Sequence, residues 1–197
     1  MKISELLRES QETKTAVVSW GRGMGHKGHM YLASAVIEYA NRIGGDPIVF
    51  VSETVGAEDP LTPQEKISIY KTVFSEHESI FRTASSMNDV LKKLSSDGYR
   101  NVVMIFGDDQ VDSFKYLEKP SQKHSNPLKI KVMSRQETDT ATSELDGPRA
   151  TPMRDILRDP HATAKQKWAV WRDAMPDALS DDQVKRFMIL VAQRLGV

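Results

Sequence analysis

Cysteine is absent from the 197-residue chain. That excludes disulfides and thiolate metal sites, and it fits a reducing compartment. Net charge is absent as well, with 27 basic residues against 27 acidic ones. A protein that tracks a phosphate backbone usually carries a basic excess, so general nucleic-acid binding is not expected. A few local cations still suffice to hold one small phosphorylated ligand. Long apolar runs are lacking too, and no stretch approaches the roughly 18 residues of a membrane span. Residues 1–14 are charged and polar, without the apolar core of a signal peptide. These absences predict a soluble, cytoplasmic protein with no membrane partner.

What is present is an alternation of short apolar runs with helical patterns. Residues 15–20 (TAVVSW), 47–52 (PIVFVS), 101–106 (NVVMIF) and 128–133 read as strands, and 79–83 as a further short one. Helices are expected over 29–42, stopped by Gly44 and Gly45, and after Thr62 and Pro63, a cap and first-turn pair. Residues 86–97 carry Met87, Val90, Leu91 and Leu94 at helical spacing. A helix through Val111, Phe114 and Leu117 follows, then a polar loop at 120–127. Residues 136–147 read as a mobile polar loop, and the chain from Thr151 onward as helical. Its last helix is capped by Ser180, with Asp181 and Asp182 in the first turn. This order predicts an α/β fold, a Rossmann-like three-layer sandwich with a parallel five-stranded sheet and C-terminal helices. The expected division is an α/β core over 1–158 and a helical appendix over 159–197 packed on it. Ligands in such sheets bind beyond the carboxyl ends of the strands.

One stretch concentrates chemistry at that edge. Gly21-Arg22-Gly23-Met24-Gly25-His26-Lys27-Gly28-His29 joins the first strand to the first helix. Glycines allow close backbone approach, and a helix start offers free N–H groups to a phosphate. The two histidines, three residues apart, add donors. The pattern is not a Walker loop, and it lacks the spacing of a His-Glu-x-x-His zinc helix.

On these residues the chain resembles the HIGH-motif nucleotidyltransferases, the cytidylyltransferase-like superfamily. Gly21-Arg22 followed by His26-x-Gly28-His29 matches the signature. Gly107-Asp108-Asp109-Gln110 resembles the family's Gly-Ser-Asp-Arg turn, and Thr151-Pro152-Met153-Arg154 its Ser/Thr-x-x-Arg motif. The similarity is greatest to small cytidylyltransferase-like proteins of tailed bacteriophages and covers residues 15–158. It implies transfer of an NMP, from CTP or ATP, to a small phosphorylated acceptor, with release of pyrophosphate and with Mg²⁺ as cofactor. His26, His29 and Arg154 would then be the catalytic residues. Gly21, Arg22, Gly28, Gly107, Asp109 and Thr151 would bind the nucleotide, and Lys66 an acceptor or phosphate. The resemblance allows a homo-oligomer and, for a phage-encoded chain, a host-cytoplasmic or virion-associated location. Three departures from the pattern, Gly23, Gln110 and Pro152, motivate the alternative of a nucleotide-binding viral structural or interaction protein with weak or no turnover.

Other polar clusters have plainer readings. Asp108-Asp109 suits a turn as well as an acid/base pair. Glu76-His77-Glu78 reads as a solvated loop, and His124 and His161 as exposed. Trp168 and Trp171 share a helix face that suits core packing. Lys92-Lys93 and Lys129 with Lys131 read as solubilising charges.

Overall fold

In the central strands consecutive apolar residues are buried on alternating faces, so both faces of the sheet are covered. The computed structural model describes residues 13–119, 128–143, 145 and 147–197. The strands are β1 (Thr15–Gly21), β2 (Asp46–Ser52), β3 (Phe81–Ala84), β4 (Asn101–Phe106) and β5 (Lys129–Ser134). They form one all-parallel sheet in the order β3-β2-β1-β4-β5. The helices are α1 (Lys27–Ile43), α2 (Pro63–Val73), α3 (Met87–Ser96), α4 (Val111–Phe114), α5 (Ala150–Arg158), α6 (Ala164–Ala174) and α7 (Asp181–Leu195). This is the Rossmann-like α/β sandwich expected.

The alternation of strand residues divides the core in two. Val17, Val49, Val51 and Ile105 pack with α1, α2 and the C-terminal helices. Ala16, Val18, Ile48, Phe50, Met104 and Phe106 pack with α3 on the opposite face. Right-handed crossovers account for this, since the chain first winds outward through β2 and β3 and then returns to lay β4 beside β1. The loops after β1 and β4 therefore run to opposite faces, opening a crevice at the carboxyl edge.

Capping follows local chemistry. Thr62 accepts from Glu65 N–H while Glu65 accepts from Thr62 N–H, and Pro63 sits in the first turn. Thr163 and Ser180 build the same reciprocal box with Gln166 and Gln183. The C-terminal helices share the first core. Trp171 is 1 % exposed and its indole N–H donates to the Met153 carbonyl at 2.9 Å, tying α6 to α5. Trp168 is half-buried, with the Lys185 ammonium 5.4 Å from its ring centre.

Some elements depart from the sequence reading. The run beginning at Ser79 becomes a strand only from Phe81, because a 3₁₀ turn (Ser75–Ile80) occupies the preceding residues. Of residues 136–147, expected to be a mobile loop, the described stretch 138–142 is bound down along α1. Ala141 N–H donates to Glu38, Thr142 Oγ1 to the Tyr31 carbonyl and Arg42 to the Thr138 carbonyl, and Thr138 is wholly buried. Lys93 does more than solubilise: its ammonium donates to the Thr83 carbonyl and pairs with Asp89 at 2.8 Å. His161 is exposed, whereas His124 and the 120–127 loop lie outside the described residues.

Candidate functional site

The loop leaving β1 is shaped by backbone rather than by side chains. Gly23 and Gly25 have φ of 71° and 75°, where a Cβ is disfavoured. A Cβ on Gly25 would also stand 2.6 Å from Ile69 Cγ2, a buried atom with no room to retreat. The turn delivers His26 to the N-cap of α1, where its carbonyl accepts from His29 N–H at 2.9 Å and Met30 N–H at 3.2 Å. One turn of helix separates the two imidazoles, and they stack with ring centres 3.9 Å apart at 22°.

Both rings are held uncharged. Burial, helped by His29 and Arg154, pushes His26 down to about 2. Burial beside the Lys66 ammonium pushes His29 down to about 4. The two Nδ1 atoms are enclosed without a partner. An enclosed lone pair loses less than an enclosed N–H, so the favoured tautomer carries its proton on Nε2. Each ring is then a neutral N–H donor.

A cleft of about 660 Å³ opens beside this stack, lined by Gly21, Arg22, His26, His29, Thr151 and Arg154 together with Trp20, Phe114, Glu58 and Arg149. A second hollow of about 220 Å³ adjoins it and shares His29, Leu32, Gln110 and Arg149. Gly28, Gly107, Asp108, Asp109 and Arg135 line that one. Nine of the ten residues singled out in the sequence thus border one continuous depression at the crevice between β1 and β4. Gly28 is where backbones meet: a Cβ on it would lie 2.9 Å from the Pro148 carbonyl oxygen.

Lys66 is the exception and requires correction. It is wholly buried, and its three N–H groups are taken by the Ser52 carbonyl at 2.9 Å, the Thr54 carbonyl at 2.8 Å and Asp59 Oδ2 at 2.7 Å. No donor is left for a phosphate or acceptor. The ammonium instead fastens the loop after β2 to the sheet, and burial holds the Asp59 carboxyl above its usual range despite that pairing.

The opposite wall is the start of α5. Arg149 is its N-cap residue and gives it no side-chain cap, so the first N–H groups remain unpaired by such a cap. Thr151 is exposed there. Arg154, 5 % exposed, donates to Glu58 Oε2 at 2.7 Å and lies 3.4 Å from Thr151 Oγ1, while its Nε is enclosed without a partner. Arg149 reaches Asp109 Oδ2 at 3.8 Å. The Asp108-Asp109 pair is exposed on the turn after β4, where Gly107 accepts from Gln110 N–H. Its place in a turn, with Asp109 facing Arg149, favours positioning over an acid/base pair.

Sequence reading missed Glu58, Arg149, Arg135 and Trp20. Trp20 is the penultimate residue of β1, so its position at the carboxyl edge was available from the strand pattern. Glu58 and Arg149 have no such local signal, because each belongs to a loop whose placement depends on distant contacts.

Among the described residues, no three His, Asp or Glu side chains converge on a metal position. The same residues include no helix long and apolar enough to cross a membrane. No protein-family model matches the chain, and no curated protein matches it in sequence.

Proposed function

We propose that the chain is a nucleotidyltransferase, moving CMP or AMP from the corresponding NTP onto a small phosphorylated acceptor. One observation carries the reading: two stacked, neutral imidazoles and the open start of α5, with Thr151 and Arg154, border the same cleft. Transfer of a nucleotidyl group needs alignment and charge stabilisation more than a protein nucleophile. An acceptor oxygen would attack the α-phosphorus in line, forming the new P–O bond as the bond to the β-phosphate oxygen breaks. Pyrophosphate carries away the electron pair.

His26 and His29 would donate Nε2–H to the phosphoryl oxygens on which charge accumulates. Thr151 and the backbone N–H groups beside it would hold the outer phosphates, with Arg154 above them. Gly28, Gly107 and Asp109 would flank the ribose and base, and Gly21 and Arg22 the entrance. Mg²⁺ fits as a passenger on the triphosphate, since phosphate and water supply most of the oxygen ligands it requires. Bound there, it would neutralise phosphate charge.

A second reading, nucleotide binding with little or no turnover, is favoured by the Glu58 carboxylate already seated on Arg154. Gln110, at a position where the resemblance leads one to expect an arginine, points the same way. A structural or host-interaction role would suit such a protein.

Pyrophosphate release from each NTP, with Mg²⁺ and a panel of phosphorylated acceptors, tests the proposal. Release that disappears in His29→Ala supports transfer. Tight ATP or CTP binding by calorimetry, with no release across the panel, supports the second reading instead.

A further inference from the structure

Behind the cleft, the loop after β2 makes a tight turn. Gly56 N–H donates to the Asp59 carbonyl at 2.9 Å, and Asp59 N–H to the Gly56 carbonyl at 3.0 Å. Ala57 and Glu58 form its tip. The residue after the tip, Asp59, is locked to buried Lys66 at 2.7 Å. The base of the turn is therefore fixed, and the Glu58 side chain is carried across to α5. There Oε2 lies 2.7 Å from Arg154 and Oε1 3.5 Å from Arg158, one helical turn further on. Arg158 also donates to the Ala57 carbonyl at 3.1 Å and lies 3.8 Å from Asp155.

The two sides of this contact differ in freedom. The Arg154 side chain is 6 % exposed and the Glu58 side chain 59 %. If the contact opens, the carboxylate has water to enter, whereas the guanidinium stays enclosed with Nε unpaired. A buried arginine that retains its position and exchanges one oxyanion for another is an anion site with a resident occupant.

We propose that Glu58 is a built-in competitor for phosphate: a ligand's phosphate chain displaces it from Arg154 and runs on to Arg158, which becomes a further binding residue. This rests on the nucleotidyltransferase reading for the identity of the ligand, a polyphosphate ester. Two guanidiniums one turn apart suit a chain of phosphates better than a single one. The fixed turn returns the carboxylate once pyrophosphate leaves.

Calorimetric titration of the full chain with pyrophosphate, and separately with ATP and CTP, tests the displacement. Glu58→Gln should bind pyrophosphate about tenfold more tightly than wild type, because a charged competitor has become neutral. Adding Arg158→Ala to that variant should reverse the gain severalfold. Added salt should narrow the difference. Equal or weaker binding by Glu58→Gln overturns the proposal and makes Glu58 a support for Arg154. If wild type and variant both bind nucleotide and pyrophosphate equally, displacement alone fails. If neither binds any of them, displacement and the nucleotide reading fail together. Tighter pyrophosphate binding without any transfer upholds displacement and removes only the enzymatic step. Thermal melting of each variant verifies folding, which an exposed Glu58 should not govern.

Discussion

The two walls of the cleft are built on opposite principles. The β1–α1 wall, apart from exposed Arg22, is set by backbone and burial, with two left-handed glycines and a histidine stack whose rings burial keeps neutral. The α5 wall is packed into the core through Met153 and Leu157 but carries ion pairs on its outer side, Arg154 and Arg158 with Glu58 and, just before the helix, Arg149 with Asp109. A wall held by packing keeps its geometry when a ligand enters. Ion pairs at the surface of the α5 wall can exchange partners. On the proposed reading, the histidine side would align the phosphates and the arginine side would exchange charge.

Breaking what supports each wall should have the largest effect. Trp171→Ala would remove the indole that fixes α5 through the Met153 carbonyl, at about 3–5 kcal/mol of stability, read by denaturant unfolding. Gly25→Ala attacks the other wall. The positive φ and the 2.6 Å approach to Ile69 should together cost about 2–4 kcal/mol. A loss under about 0.5 kcal/mol would mean that the histidine turn is pliable after all.

Acid should act on the histidine wall. Both histidines are depressed from 6.5, so below that value the unfolded chain binds more protons than the folded one. Their contribution to stability is complete above pH 6.5 and is lost as pH falls, through about 4 for His29 and on toward 2 for His26. The slope is at most about 1.4 kcal/mol per pH unit for each ring. His29→Asn should flatten the unfolding profile between pH 6 and 4, and an unchanged slope would show the ring to titrate normally. Arg149→Ala should do least to stability, within about 0.5 kcal/mol, because its pair with Asp109 is long and exposed. Its effect should instead appear as weaker nucleotide binding.

Much of the fold was legible because it is written locally. Apolar runs such as 101–106 announced buried strands, Thr62-Pro63 and Ser180 announced helix starts, and the Gly-His turn lay where a strand meets a helix. Residues 136–147 misled because polarity usually signals exposure. Here Ala141 N–H and Thr142 Oγ1 are satisfied by α1, about 100 residues away in sequence. Lys66 misled for a related reason. A lysine on a helix is normally at the surface, and only Asp59 with two carbonyls from the end of β2 and its loop makes its burial tolerable.

By itself, then, the sequence determined the order of elements, the sheet class and the histidine turn, since caps, strand patterns and left-handed glycines act over a few neighbouring residues. The tertiary structure alone decided that Lys66 serves the scaffold, that Glu58 sits on Arg154, and that the loops after β1 and β4 and the start of α5 face one cleft. Those outcomes depend on strand order and on charges meeting across distant segments, where burial and pairing, rather than local propensity, set the energy.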